Sequence, residues 1–231
     1  MTKLFLFDID GTLVTGVNDS TLSVGFTQDR FTLAIKNALA LDVKRERDFR
    51  GLTDYLILKE MLKDVGWSDA RIDPVMPQLV AELDRVHGET FQATLVRLLP
   101  GVQELLTALS VRRHILGLLT GNLETVAQRK LEALGVWSFF TVGGFGSDAH
   151  ATRADLVKLA VQRAGFSSRA DDVYVLGDTP KDIEAAAAAG IVNSVGVVNG
   201  FRDASELKSA GAKIVLDDFK HTEHVLRMLG V

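Results

Sequence analysis

The chain has 231 residues, 47% hydrophobic and 24% charged, with 26 Lys and Arg against 30 Asp and Glu for a formal charge of −4. That balance supports a buried core and excludes wholesale disorder or collagen-like repetition. It lacks the basic excess that binding a phosphate backbone requires, so nucleic acid is not an expected partner. The absence of cysteine removes disulfides, thiolate nucleophiles, Cys-ligated zinc and iron–sulfur clusters, and suits a reducing compartment. The length fits one core carrying a smaller insertion. The first apolar run, Leu4 to Phe7, meets Asp8 at once. It is too short for a signal-peptide core or a membrane span, so the expectation is a cytoplasmic protein with no membrane partner.

In chain order, residues 4–7 read as a fully buried parallel strand, because the apolarity is continuous rather than alternating, and the strand runs into the Gly11 turn. Residues 17–98 read differently, with apolar-periodic helical segments at 31–41, 54–65 and 75–95 bounded by hinges at 14–19 and 98–101, the second carrying Pro100 and Gly101. A second strand covers 115–119 before Thr120-Gly121-Asn122, followed by a helix over 123–134 that stops at Gly135. Residues 143–146 read as a loop flanking the site. A helix over 155–164 stops at Gly165. A third strand, 173–176, then precedes Gly177-Asp178-Thr179, and a helix over 181–189 stops at Gly190. Residues 191–198 and 213–216 complete the strands. This βαβ rhythm predicts an α/β, doubly wound parallel sheet with ligands at the carboxyl ends of its strands.

Asp8 and Asp10 stand two apart at a strand end, where alternation brings both carboxylates to one side. Such a pair needs a cation or a shared proton, and hard oxygen ligands suit Mg²⁺, with Asp178 able to supply a third oxygen. Each Asp alone reads equally well as a cap or turn former. Taken together, Asp8-Ile9-Asp10-Gly11-Thr12-Leu13, Leu119-Thr120-Gly121-Asn122 and Gly177-Asp178-Thr179-Pro180-Lys181-Asp182, in this order and each behind an apolar strand, resemble the haloacid dehalogenase superfamily, phosphoglycolate phosphatase-like members included.

The resemblance implies a Rossmann-like catalytic core over 1–16 and 98–231, with a helical cap domain over 17–97. It implies that Asp8 is the nucleophile forming an aspartyl-phosphate and that Asp10 is the general acid and base. It further implies Mg²⁺ on Asp8, the backbone carbonyl of Asp10 and Asp178, with Asp182 supporting the metal or its waters. Thr120, Gly121 and Asn122 would bind the phosphoryl oxygens, helped by the helix that begins near Leu123. The family's Lys-Pro pair is missing here. Arg153, within Ser147-Asp148-Ala149-His150-Ala151-Thr152-Arg153, is the leading substitute, and Lys158 is its rival. In the insertion, Arg50-Gly51-Leu52-Thr53-Asp54 resembles the Gly-x-Thr-Asp segment that such caps point at substrate, which makes Gly51, Thr53 and Asp54 candidate contacts. A turn at Gly51 with Thr53 or Asp54 capping the next helix is the plainer reading.

The expected partner is a small phosphorylated metabolite, and the protein is expected to be a monomer or homodimer. A phosphomutase using the same two Asp residues and a non-catalytic binder of phosphorylated ligands are the alternatives. Phosphonate cleavage through a cap lysine (Lys36, Lys44, Lys59 or Lys63) is a lesser one. His221 and His224 lack a third ligand type and read as solvated, and residues 143–146 do not match a dinucleotide fingerprint.

Overall fold

In a computed structural model describing residues 1–17, 29–46, 49, 51–148, 152–199 and 203–231, the chain builds a six-stranded sheet in the order β5-β4-β1-β6-β7-β8. Its strands are β1 (Leu4–Phe7), β4 (Ile115–Leu119), β5 (Val142–Gly144), β6 (Val173–Gly177), β7 (Asn193–Val197) and β8 (Ile214–Leu216). Every pairing is parallel, and β1 sits in the middle, with Leu4 opposite Ile115 on one side and Val173 on the other. From β1 the chain builds outward in both directions. The crevice at the carboxyl ends of β1, β4 and β6 is therefore the switch point where α/β sheets place their ligands.

The unbroken apolarity of β1 follows from its position. Leu4 and Leu6 pack to one face with Leu156, Val157 and Ala186, contributed by α7 (Arg153–Arg163) and α8 (Pro180–Ala188). Phe5 and Phe7 pack to the other with Leu105, Leu109 and Leu226, from α5 (Val102–Val111) and α10 (Thr222–Leu229). All four β1 side chains are fully buried. Each contributes about 1.5–3 kcal/mol by leaving water.

Between β1 and β4 lie α1 (Arg30–Leu39), α2 (Asp54–Asp64), α3 (Asp69–Ile72) and α4 (Met76–Thr90). These build a separate apolar cluster around Phe31, Ile35, Leu58, Met61, Leu79 and Leu83, which extends onto Leu123 and Val126 at the start of α6 (Glu124–Ala133). Local chemistry sets the helix starts. Asp29 accepts from the backbone N–H groups of Phe31 and Thr32, and Thr53 accepts from that of Leu56.

The structure corrects the sequence reading at three places. The long segment 75–95 is not one helix, since α4 stops at Thr90 and Phe91 turns extended. The two hinges contain short strands, β2 (Val14–Gly16) and β3 (Val96–Leu98), paired antiparallel as a ribbon, while Asn18 and Asp19 lie outside the described residues. Residues 143–146 are only partly a loop, because Val142–Gly144 forms the edge strand β5. Strands of three residues carry too little periodicity to be recognised. Among the described residues no helix is long and apolar enough to cross a membrane.

Candidate active site

Asp8 directly follows β1, and its backbone N–H donates to Leu176 O of β6 at 2.9 Å. Asp178 directly follows β6 and is likewise buried. Tight backbone geometry makes room for the second carboxylate. Gly11 has φ +89°, and a Cβ on it would lie 2.4 Å from Asp178 Oδ2. Asp182 is in the first turn of α8, where it accepts from Thr179 N (3.1 Å) and Thr179 Oγ1 (2.6 Å) in a capping box. Strand, turn and helix start thus deliver Asp8, Asp178 and Asp182 to one place, with a carboxylate oxygen of each within 4.8 Å of the others.

Arg153, the first residue of α7, enters this cluster. Its Nη2 donates to Asp8 Oδ1 and its Nε to Asp182 Oδ1, both at 2.7 Å. The side chain is 10% exposed. Lys158, the rival, is 59% exposed, with Nζ 4.0 Å from Asp155, so the structure does not bring it to the cluster. Burial lifts the Asp8 carboxyl well above the usual carboxylate range. Arg153 opposes that rise, and the charges of Asp182, Asp178 and Asp10 add to it.

Asp10 faces a different cation. Lys130 Nζ donates to both of its carboxylate oxygens at 2.8 Å, and Asn122 Nδ2 donates to Oδ2 at 2.9 Å. Burial alone would raise its pKa, but the Lys130 charge and these hydrogen bonds outweigh burial and hold it below the ordinary value. The two aspartates therefore differ in character: Asp8 is shifted up, Asp10 down. Lys130 was not among the residues expected from sequence. A signal for it existed, because Val126, Ala127, Lys130 and Leu131 form the buried face of α6, and a lysine in an apolar stripe is an anomaly.

Thr120 is buried after β4, and its Oγ1 accepts from Asn122 N (3.2 Å) and Asn122 Nδ2 (2.8 Å). Gly121 O accepts from Asp54 N at 2.7 Å, and a Cβ on Gly121 would lie 2.5 Å from Leu52 O. The helical insertion thus rests directly on this loop. Asp54 Oδ2 accepts from Leu123 N at 3.0 Å, and its Oδ1 accepts from Arg30 Nη2 at 2.7 Å. The start of α6, expected to hold phosphoryl oxygens, has its Leu123 N–H occupied by Asp54 and its Glu124 N–H by Ser147 Oγ at 3.2 Å. A helix N-terminus attracts an anion, and here a carboxylate from the insertion fills the position. Thr53 caps α2, and Gly51, at φ +79°, lies against the Lys181 side chain, whose Cδ would be 2.4 Å from an added Cβ. Arg50 and Ala149 to Ala151 fall outside the described residues. His221 and His224 are exposed.

The match to the haloacid dehalogenase-like hydrolase family model spans residues 5–197, from β1 through β7. The chain belongs to that family. A phosphoglycolate phosphatase of Synechococcus elongatus is 32% identical over 215 residues, covering 90% of this chain and 89% of that protein. One from Pseudomonas putida is 26% identical, covering 95% and 78%. A β-phosphoglucomutase structure from Clostridium difficile superposes with a TM-score of 0.69 at 17% identity, covering 100% of this chain and 98% of that one. At that identity the family member and the mutase share a fold.

Proposed function

We propose that this enzyme, a phosphatase by family and relatives, hydrolyses a small phosphate monoester of the phosphoglycolate kind through an aspartyl-phosphate on Asp8. The observation that carries the reading is the pairing of two carboxylates with two separate cations: Asp8 with Arg153, and Asp10 with Lys130. In the first step Asp8 attacks phosphorus as the bond to the leaving oxygen breaks, and the protonated fraction of Asp10, kept small by Lys130 but made the stronger acid by it, gives that oxygen a proton. In the second, Asp10 takes a proton from the water that attacks the aspartyl-phosphate, which frees inorganic phosphate and restores Asp8. The Arg153 fork, Thr120 Oγ1, the Gly121 backbone and Asn122 take the phosphoryl oxygens, where charge develops in the transition state. The helices α1–α4 act as the cap over the site, with Gly51, Thr53 and Asp54 on the segment nearest the phosphate loop, and closure excludes bulk water.

The donor set suits Mg²⁺. Asp8, Asp178 and Asp182 present three buried hard oxygens, and Arg153 supplies one positive charge among them. Asp8, Asp178 and the Asp10 backbone carbonyl would hold the ion, with Asp182 supporting it. When bound it neutralises charge between carboxylate and phosphate. A cytoplasmic setting is part of this proposal.

The test is phosphate release from a panel of small esters, phosphoglycolate included, with Mg²⁺ and with excess chelator, for wild type and Asp8→Asn. Release is expected only with Mg²⁺ and intact Asp8. Unchanged release from Asp8→Asn overturns the nucleophile, and no release from folded wild type overturns the reaction.

A further inference from the structure

Lys130 occupies a position that packing alone would give to leucine. It lies between Ala127 and Leu131 on the inward face of α6 and is 1% exposed. Taking an ammonium out of water is unfavourable unless it is paired, so its presence calls for a reason beyond filling space. Its contacts supply one. Nζ reaches Asp10 Oδ1 and Oδ2 at 2.8 Å each and Asn122 Oδ1 at 3.2 Å. Asn122 in turn donates to Asp10 Oδ2 at 2.9 Å and to Thr120 Oγ1 at 2.8 Å. A cation gripping both oxygens fixes the plane of a carboxylate as well as its direction, and Asn122 ties that plane to the Thr120 hydroxyl. The Asp10 backbone lies in the turn after β1, where a side chain one-third exposed has freedom to rotate away.

We propose that Lys130 is a positioning residue for Asp10, holding its carboxylate where it reaches both the leaving oxygen and the attacking water. This rests on the phosphatase reading. Arg153 serves the nucleophile, Lys130 the acid–base, and α6 carries a working group of its own.

The experiment compares wild type, Lys130→Met, Asp10→Asn and the double variant on two esters, an alkyl phosphate whose leaving oxygen needs a proton and p-nitrophenyl phosphate, which does not. Single-turnover mixing reads the first product. Lys130→Met is expected to slow the first step about 100-fold on the alkyl ester, the low end for losing general-acid catalysis, and less than about threefold on the aryl ester, with KM nearly unchanged. In the Asp10→Asn background the same change is expected to add less than about twofold, since the two residues act as a unit. That double variant removes both charges together, so it remains a test where Lys130→Met alone does not fold. Equal losses on both esters, or an equal loss in both backgrounds, would overturn the assignment and leave Lys130 a structural residue. Folded wild type inactive on every ester is a separate result: it fails the phosphatase reading, and this proposal with it.

Discussion

Asp54→Asn tests how firmly the helical insertion is fastened to the sheet. Asp54 and Arg30 have side chains 4% exposed, and Oδ1 meets Nη2 at 2.7 Å. The other oxygen accepts from Leu123 N at 3.0 Å. Asparagine keeps the shape, but its amide must turn a donor toward either the guanidinium or the Leu123 N–H, and Arg30 loses the charge of Asp54 beside it. Breaking a buried pair on one side costs about 3–5 kcal/mol. For a chain of this size each kcal/mol moves the melting temperature by about 2–4 °C, so 3 kcal/mol predicts a fall of about 6–12 °C. Calorimetry in low and high salt checks it, and the fall is expected in both, because screening acts weakly on a buried pair. Arg30→Met with Asp54→Leu is expected to recover all but about 1 kcal/mol, the hydrogen bond to Leu123. A loss below about 1 kcal/mol for Asp54→Asn, or a double variant as unstable as the sum of the singles, would refute the reasoning.

Three further outcomes are expected. His87 is fully buried, and burial, with the Arg30, Lys130 and Arg129 charges, pushes its pKa down to about 2. The unfolded chain binds that proton near pH 6.5 and the folded one does not, so stability falls as pH drops below 6.5. By pH 4.5 the loss is about 2–3 kcal/mol, and His87→Phe is expected to flatten the pH dependence of the melting temperature over that window. Gly11→Ala places a methyl group 2.4 Å from Asp178 Oδ2 at φ +89°. It is expected to weaken Mg²⁺ at least about tenfold, roughly 1.4 kcal/mol, as read by titrating activity against the ion. Arg153→Met is expected to lower kcat about 100-fold or more, whereas Lys158→Met, on a solvated face, stays within about twofold of wild type. Equal losses would reverse the choice between the two cations.

The expected residues that stand beside a strand end were legible because the code there is local. Asp8, Thr120 and Asp178 each follow an apolar run, whereas the roles expected of Thr120 and of Asp182, one helical turn past Asp178, come from the family resemblance. Arg153 is named because the family resemblance asks for a phosphate-binding cation and the Lys-Pro pair that usually supplies it is missing. What escaped was non-local. Arg30 and Lys130 work through partners 24 and 120 positions away in the chain, and no periodicity encodes a partner. The β2–β3 ribbon escaped because three residues per strand give no alternation to read, and its pairing joins Val14 to Leu98.

The central place of β1 also bears on how the chain is made. Leu4–Phe7 leaves the ribosome well before either neighbour, since β4 begins at Ile115 and β6 ends at Gly177. At about 5–20 residues per second, this apolar strand waits roughly 8–35 s for its second flank. During that interval α1 to α4 complete their own cluster from nearby sequence, and loop-closure entropy delays the sheet. The strand that presents Asp8 is thus translated long before both of its flanks exist, and its second pairing waits until synthesis has passed Gly177.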